Sequence, residues 1–186
     1  KDSMLDYLGD TEIHSFFDAF AGSGRVAHHF RNRYKIVAND RQSYTKVILE
    51  AYLQNTQNIQ LYEYLIDGLN ALPDSYHSLT DGWYTDTYGA PENNGISIGA
   101  DGNPKPWVDY NARKIDCIRH QIDEMYPNDC VEKSVLLLSL MLAVSRISNW
   151  MGHQTGYFKD WKKGKLRKLK LELPPIESSH AFKHIV

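Results

Sequence analysis

The chain has 186 residues, 42% of them hydrophobic and 24% charged, a composition of globular type with room for one core and a sizeable insertion. No run of about 18 apolar residues is present, which excludes a membrane-spanning helix. The net charge of −2 hides an asymmetry: residues 1–93 hold 7 Lys and Arg against 13 Asp and Glu, and residues 94–186 hold 14 against 10.

In chain order, Ser15 to Phe20 reads as a short buried strand that enters the turn Ala21-Gly22-Ser23-Gly24, and Arg25 to Asn32 as the helix after it. Tyr34 to Asp40 reads as a second strand ending on an acid. Ser43 to Leu53 follows as a helix with Val47, Ile48 and Leu53 on its apolar face. A strand-helix-strand-helix unit of this kind implies parallel strands. Ile59 to Leu69 predicts a further helix. Residues 72–108 are rich in Gly, Pro, Asn, Asp and Tyr and show no helical period; a loop of that length is often functional.

Ala112 to Tyr126 places Ile115, Ile118, Ile122 and Met125 on one helical stripe. Asp129 and Glu132 form a capping-box-like start to a helix from Val131 to about Asn149, apolar nearly all round and therefore expected to be deeply buried. Lys159 to Lys170 sets seven cations against one carboxylate, with Trp161 among them. Such a strip is either a solvated surface or a phosphate-contacting one, and charge alone leaves both open. Leu169 to Leu173 alternates like a strand and is stopped by Pro174-Pro175, while Ala181 to Val186 begins another. Cys117 and Cys130 have no metal-ligand spacing and suit a reducing compartment. The paired His28 and His29 lie on the first helix and suit surface or packing places better than a metal site.

The glycine turn carries the chemistry. Glycine permits positive φ and close backbone approach, and the start of the following helix offers free amides. An acid at the second strand's end, Asp40, is placed to take both hydroxyls of a ribose. Together they indicate a nucleoside-containing cofactor lying across the strand ends. Two cofactors compete. Gly22-x-Gly24-x-x-Ala27 fits the loosened dinucleotide pattern, which keeps a nicotinamide cofactor and an oxidoreductase in view. Asp18, four residues before Gly22, favours S-adenosylmethionine: a carboxylate there can meet its ammonium group, and no pyrophosphate needs a further glycine.

Asp18-Ala19-Phe20-Ala21-Gly22-Ser23-Gly24, followed by Lys35-Ile36-Val37-Ala38-Asn39-Asp40, resembles the Dam-like class of adenine-specific DNA methyltransferases. Lys114-Ile115-Asp116-Cys117-Ile118-Arg119 is similar to that family's KIDAIR helix. Ser148-Asn149-Trp150-Met151-Gly152, Gly156-Tyr157-Phe158-Lys159 and Trp161-Lys162-Lys163 are similar to its SNxxG…GxFxKxWK segment. The resemblance covers nearly the whole chain and is weakest over 72–108.

The resemblance implies an α/β fold: a Rossmann-like class I methyltransferase sheet, here incomplete, with a largely helical target-recognition insertion. Residues 1–54 would form the cofactor-binding part, 55–168 the insertion, and 169–186 the return to the sheet. Gly22, Ser23 and Gly24, with Ala21 before them, would hold the methionine part of S-adenosylmethionine, with Asp18 and Phe20 at the same end and Asp40 on the ribose. Where the family has an apolar residue against the adenine ring, this chain has Arg41, whose guanidinium can stack on a ring. Lys1 is similar to the last lysine of the family's YxGSK segment, which implies a place in the cofactor pocket and an N-terminus clipped ahead of it. Arg113, Lys114, Arg119, Lys159, Lys162 and Lys163 are the candidates for contact with double-stranded DNA. Asn149 would read a base edge or cap the helix before it, and Tyr84, Tyr88 and Trp107 would touch bases or pack.

The expected activity is methyl transfer to the 6-amino group of adenine, after the base is swung out of the duplex. The family's [DNS]-P-P-[YF] motif is not matched by Leu173-Pro174-Pro175-Ile176, so the chain is expected to stop before its catalytic motif and not to turn over alone. The resemblance further implies a cytoplasmic bacterial or phage protein, acting as a monomer beside a restriction endonuclease. A non-catalytic DNA-binding subunit or degenerate methylase is the alternative.

Overall fold

The computed structural model describes residues 13–73, 82–92, 94–152, 156–178 and 182–186. Strand β1 (Ser15–Asp18) is followed by α1 (Arg25–Phe30), β2 (Lys35–Ala38) and α2 (Ser43–Leu53). β1 and β2 pair in parallel, with Phe16 opposite Ile36 and Asp18 opposite Ala38. The two segments stay together beyond the strands, where Asn39 N–H donates to the Asp18 carbonyl at 2.8 Å and Ala21 N–H to the Asn39 carbonyl at 3.0 Å. Ile185 adds to the far side of β2 through a parallel bridge to Val37. The terminal segment therefore lies in the sheet, as its pattern suggests. His184 secures it: its Nδ1 accepts the Ile36 amide at 3.0 Å, a backbone donor inside the core.

The helical part consists of α3 (Ile59–Ala71), the short α4 (Trp83–Tyr88), α5 (Asp109–Met125) and α6 (Val131–Ile147). Between α4 and α5, β3 (Gly89–Ala90) pairs in parallel with β4 (Trp107–Val108). The apolar stripe of α5, with Ile115, Ile118 and Ile122 buried, packs on Val135, Leu136 and Leu138 of α6 and on Tyr62, Ile66 and Leu69 of α3. A second, smaller cluster joins Ala27 and Phe30 of α1 to Ile36 and Ala38 of β2 and to Leu49 and Leu53 of α2. Helix α2 serves both clusters. Leu49 and Leu53 face the sheet, whereas Ala51 packs with the helical core, so the glycine turn and the helices are tied through one element.

Two expectations need correction. The cap of α6 is Cys130, whose Sγ accepts the Lys133 amide at 3.4 Å, and Asp129 stands one residue outside it. Leu169 to Leu173 does not join a sheet. Leu169 and Leu171 alternate into the helical core as a strand's residues would, but their amides bond to side chains. Leu169 N–H donates to Asn111 Oδ1 and Leu171 N–H to Asn70 Oδ1, each at 2.8 Å. Two asparagines on α5 and α3 stand in for a neighbouring strand, which meets the same hydrogen-bonding requirement of a buried backbone. Within 72–108 the helix α4 was not legible because its cap is remote. Asp116, on α5, accepts the Tyr84 and Thr85 amides at 2.9 Å each.

Candidate cofactor turn and nucleic-acid face

The turn after β1 is held by its own backbone. Gly24 N–H donates to the Ala21 carbonyl at 2.8 Å, and His28 N–H to the Gly24 carbonyl at 2.8 Å. Both glycines are left-handed, Gly22 at φ 51° and Gly24 at φ 69°, a conformation that L-residues with a Cβ adopt at a cost. They differ in surroundings. A Cβ on Gly24 would sit 3.2 Å from Leu49 Cδ2 of α2, whereas one on Gly22 would meet only the Phe20 carbonyl oxygen at 4.0 Å. Gly24 thus lets the turn press on α2, and Gly22 leaves the outer face of the turn bare.

Asp40 is turned toward that bend. Its Oδ2 accepts the Gly22 amide at 2.8 Å and its Oδ1 the Gln42 amide at 2.9 Å. The Gln42 amide foremost, then the Gly22 amide, hold this carboxyl below the ordinary carboxylate range. A depressed value gives a contribution complete above the unfolded-state value and lost as the pH falls through the folded one, so the carboxylate holds the turn throughout the neutral range. An ionised carboxylate has about four lone-pair sites. The Gln42 and Gly22 amides orient it, the Arg41 amide adds to their pull, and acceptor capacity remains for a ligand hydroxyl. The capping role and the ligand role are compatible in one side chain.

Asp18 differs. It is half-buried, and its Oδ2 is enclosed without a hydrogen-bond partner among the described residues. A buried carboxylate oxygen with no donor is costly unless a cation or donor arrives. The ammonium group of S-adenosylmethionine has the charge and donors for that place, so the residues present fit this cofactor. Phe20, 92% exposed, and Ser23 and Arg41, also exposed, border the turn, while Ala21 is buried beneath it. Lys1 lies outside the described residues.

The cationic candidates separate into two groups. Arg113, Lys159, Lys162 and Lys163 are exposed, and Lys162 Nζ stands 4.7 Å over the Phe158 ring. Lys114 corrects the expectation of a phosphate contact: it is 4% exposed, and its Nζ donates to the Asn70 carbonyl at 3.0 Å and to the Leu72 carbonyl, closing the end of α3. Asn149 neither caps α6 nor faces outward. It is fully buried, its Nδ2 donating to the Asp160 carbonyl at 3.1 Å and its Oδ1 accepting the Lys162 amide at 3.2 Å. Arg119 pairs with Asp123 one turn along its own helix. Trp161, which the sequence places amid the charges, is buried against Ala90 and Val108. Tyr84, Tyr88 and Trp107 pack edge-on or tilted, with Tyr84 and Tyr88 5.8 and 5.7 Å from the Trp107 ring.

The profile of the D12 class N6 adenine-specific DNA methyltransferases matches residues 2–184. The chain belongs to this family. Among curated proteins, this D12-class chain is 29% identical over 190 residues to modification methylase LlaI of Lactococcus lactis subsp. lactis, covering 95% of the chain and 29% of that relative. It is 28% identical over 179 residues to modification methylase StsI of Streptococcus sanguinis, covering 91% of the chain and 26% of the relative. It is also 28% identical over 161 residues to type II methyltransferase M.NlaIII of Neisseria lactamica, covering 84% and 44%. The D12-class chain therefore spans between 26% and 44% of the length of these relatives. No solved structure matches it significantly.

Several residues that hold the fold of this D12-class chain together had no local signal. Asp116, Asn70, Asn111 and His184 act on backbone groups far away in sequence, through hydrogen bonds spanning 31 to 148 positions. The resemblance to the KIDAIR segment does mark Asp116, without indicating that it caps another helix. Among the described residues no helix is long and apolar enough to cross a membrane, and no three His, Cys, Asp or Glu side chains group to hold a metal.

Proposed function

We propose that this chain carries the S-adenosylmethionine site and DNA-docking surface of a methyltransferase that modifies the exocyclic 6-amino group of adenine within a restriction-modification system. The orphaned Asp18 carboxylate oxygen beside a bare glycine turn carries the proposal. In the bound state S-adenosylmethionine would supply an electrophilic methyl group. Asp18 would neutralise its ammonium, the backbone from Ala21 to Gly24 would pass under its methionine part, and Asp40 would orient the ribose. Phe20 and Arg41 would flank the ligand, the latter by stacking its guanidinium on the adenine ring. Lys1 is retained as a pocket residue on the strength of its sequence alone.

The parallel pair β1–β2 with Ile185 on its outer side supports a Rossmann-like class I sheet. Residues 1–54 and 169–186 would belong to that domain and 55–168 to target recognition. Double-stranded DNA would meet Arg113, Lys159, Lys162 and Lys163. The protein would act as a monomer in the cytoplasm.

Calorimetric titration separates S-adenosylmethionine from a nicotinamide cofactor. S-adenosylmethionine and S-adenosylhomocysteine are expected to bind and NADH to give no heat; NADH binding without either of the others would overturn the proposal. For DNA, log K should fall linearly with log[salt]. Lys159→Ala and Lys163→Ala should each flatten that slope by about 0.9, the share of one neutralised phosphate. Slopes identical to wild type would remove these lysines from the interface.

A further inference from the structure

A cavity of about 580 Å³ opens between α4 and the C-terminal half of α6, and no residue of the glycine turn lines it. Its walls are aromatic and aliphatic: Tyr84, Trp107 and Trp150, with Met141 and Val144. Polar groups are few. Ser148 Oγ accepts the Trp107 indole N–H at 2.9 Å and donates to the Val144 carbonyl at 2.8 Å, so that hydroxyl is committed to the wall. The exposed Ser145 and the ammonium of Lys165, which donates to the Arg146 carbonyl at 3.1 Å, stand at the cavity's polar edge. Apolar walls with a few convergent polar groups, in a volume within the roughly 300–1,000 Å³ range of small-ligand sites, suit one planar ring with a polar edge.

The cavity is remote from the glycine turn. Helix α6 reaches the cofactor side through Ser134, whose Oγ donates to Glu50 of α2 at 2.7 Å. Ser134 and Ser145 are about 16 Å apart along the helix at 1.5 Å per residue, so a ring held here is not one presented to the methyl donor. Lys165 places a cation at its rim instead. Lys165 belongs to the cationic run from Lys159 to Lys170, which supplies charge complementary to a phosphodiester on either side of the ring.

We propose that this cavity takes a second base of the DNA, one that is not methylated, extruded from the duplex and stacked between Trp150 and the Tyr84–Trp107 pair. The inference rests on the proposed DNA-modifying function. Trp150 suits the part: it lines the cavity, is 38% exposed, and is held by an edge-on contact with Tyr157, the centroids 5.7 Å apart. Stacking on such a platform tolerates any base.

The experiment compares a fully paired duplex with one carrying a single unpaired thymine, by fluorescence anisotropy on the whole chain at fixed salt. The unpaired base removes the cost of extrusion, so the bulged duplex should bind roughly 5- to 150-fold tighter, the range that stacking one base commands. Ser145→Phe, which plugs the cavity from an exposed helix position, and Trp150→Ala, which removes a wall, should abolish that preference; Trp150→Phe should keep it. Light-driven cross-linking of a 5-iodouracil at the bulge should attach to Tyr84, Trp107 or Trp150. Equal affinity of wild type for both duplexes, or an undiminished preference in Ser145→Phe, would overturn the inference. Titration with S-adenosylhomocysteine keeps the two proposals apart: absence of cofactor binding in wild type strikes the function itself, whereas intact cofactor binding with no bulge preference strikes only the cavity.

Discussion

Gly24→Val is expected to remove S-adenosylmethionine binding and to lower the melting temperature by about 6–12 °C. Gly24 sits at φ 69°, and the left-handed region costs about 1–2 kcal/mol for an L-residue, more for a β-branched one. The new Cβ would lie 3.2 Å from Leu49 Cδ2 and 3.6 Å from Tyr52 Cδ2, so the valine methyls must push α2 away. A total near 3 kcal/mol, at about 2–4 °C per kcal/mol for a chain of this size, gives the shift. Gly22→Ala provides the contrast. It bears the same backbone cost, but its methyl points into open space, so stability should fall by only about 1–2 kcal/mol. Cofactor affinity should nevertheless fall sharply, because that methyl would occupy the face on which the ligand is proposed to lie. Thermal melts and calorimetry on both variants read the difference, and a Gly24→Val protein with wild-type melting and affinity would refute the account of the turn.

Asn149→Ala should destabilise the protein by about 2–4 kcal/mol while leaving the salt dependence of DNA binding unchanged in the fraction that remains folded. Its carboxamide joins three chain segments: Nδ2 reaches Ser97 Oγ at 3.3 Å, the Phe158 carbonyl at 3.4 Å and the Asp160 carbonyl at 3.1 Å, and Oδ1 holds the Lys162 amide. Truncation leaves buried donors and acceptors unmet, at about 1–3 kcal/mol each where water cannot reach. Chemical denaturation measures the destabilisation. A base-reading residue would behave in the opposite way, with full stability and relaxed sequence preference. That second pattern would return Asn149 to the DNA interface.

The parts legible in the sequence are those encoded over short spans. Helix α2 lies at Ser43–Leu53 as its apolar spacing indicates, and α3, α5 and α6 match within a few residues at their ends, because an amphipathic stripe records which face meets a core. The glycine turn and Asp40 were legible for a related reason: positive φ within a few residues of a strand end has few solutions other than glycine. The family, too, follows from short ordered motifs.

Tertiary structure decided what each polar side chain does, since a sequence gives a side chain's chemistry but not its neighbours. Lys114 and Lys163 are both lysines in expected contact segments, yet one closes the end of α3 from inside and the other faces water. Leu169 to Leu173 has a strand's alternation, but burial on a helical surface selects the same every-other pattern, and only Asn70 and Asn111 show which neighbour satisfies its amides. Local periodicity reports that a backbone is extended and half-buried; which partner completes its hydrogen bonds is a property of the assembled fold.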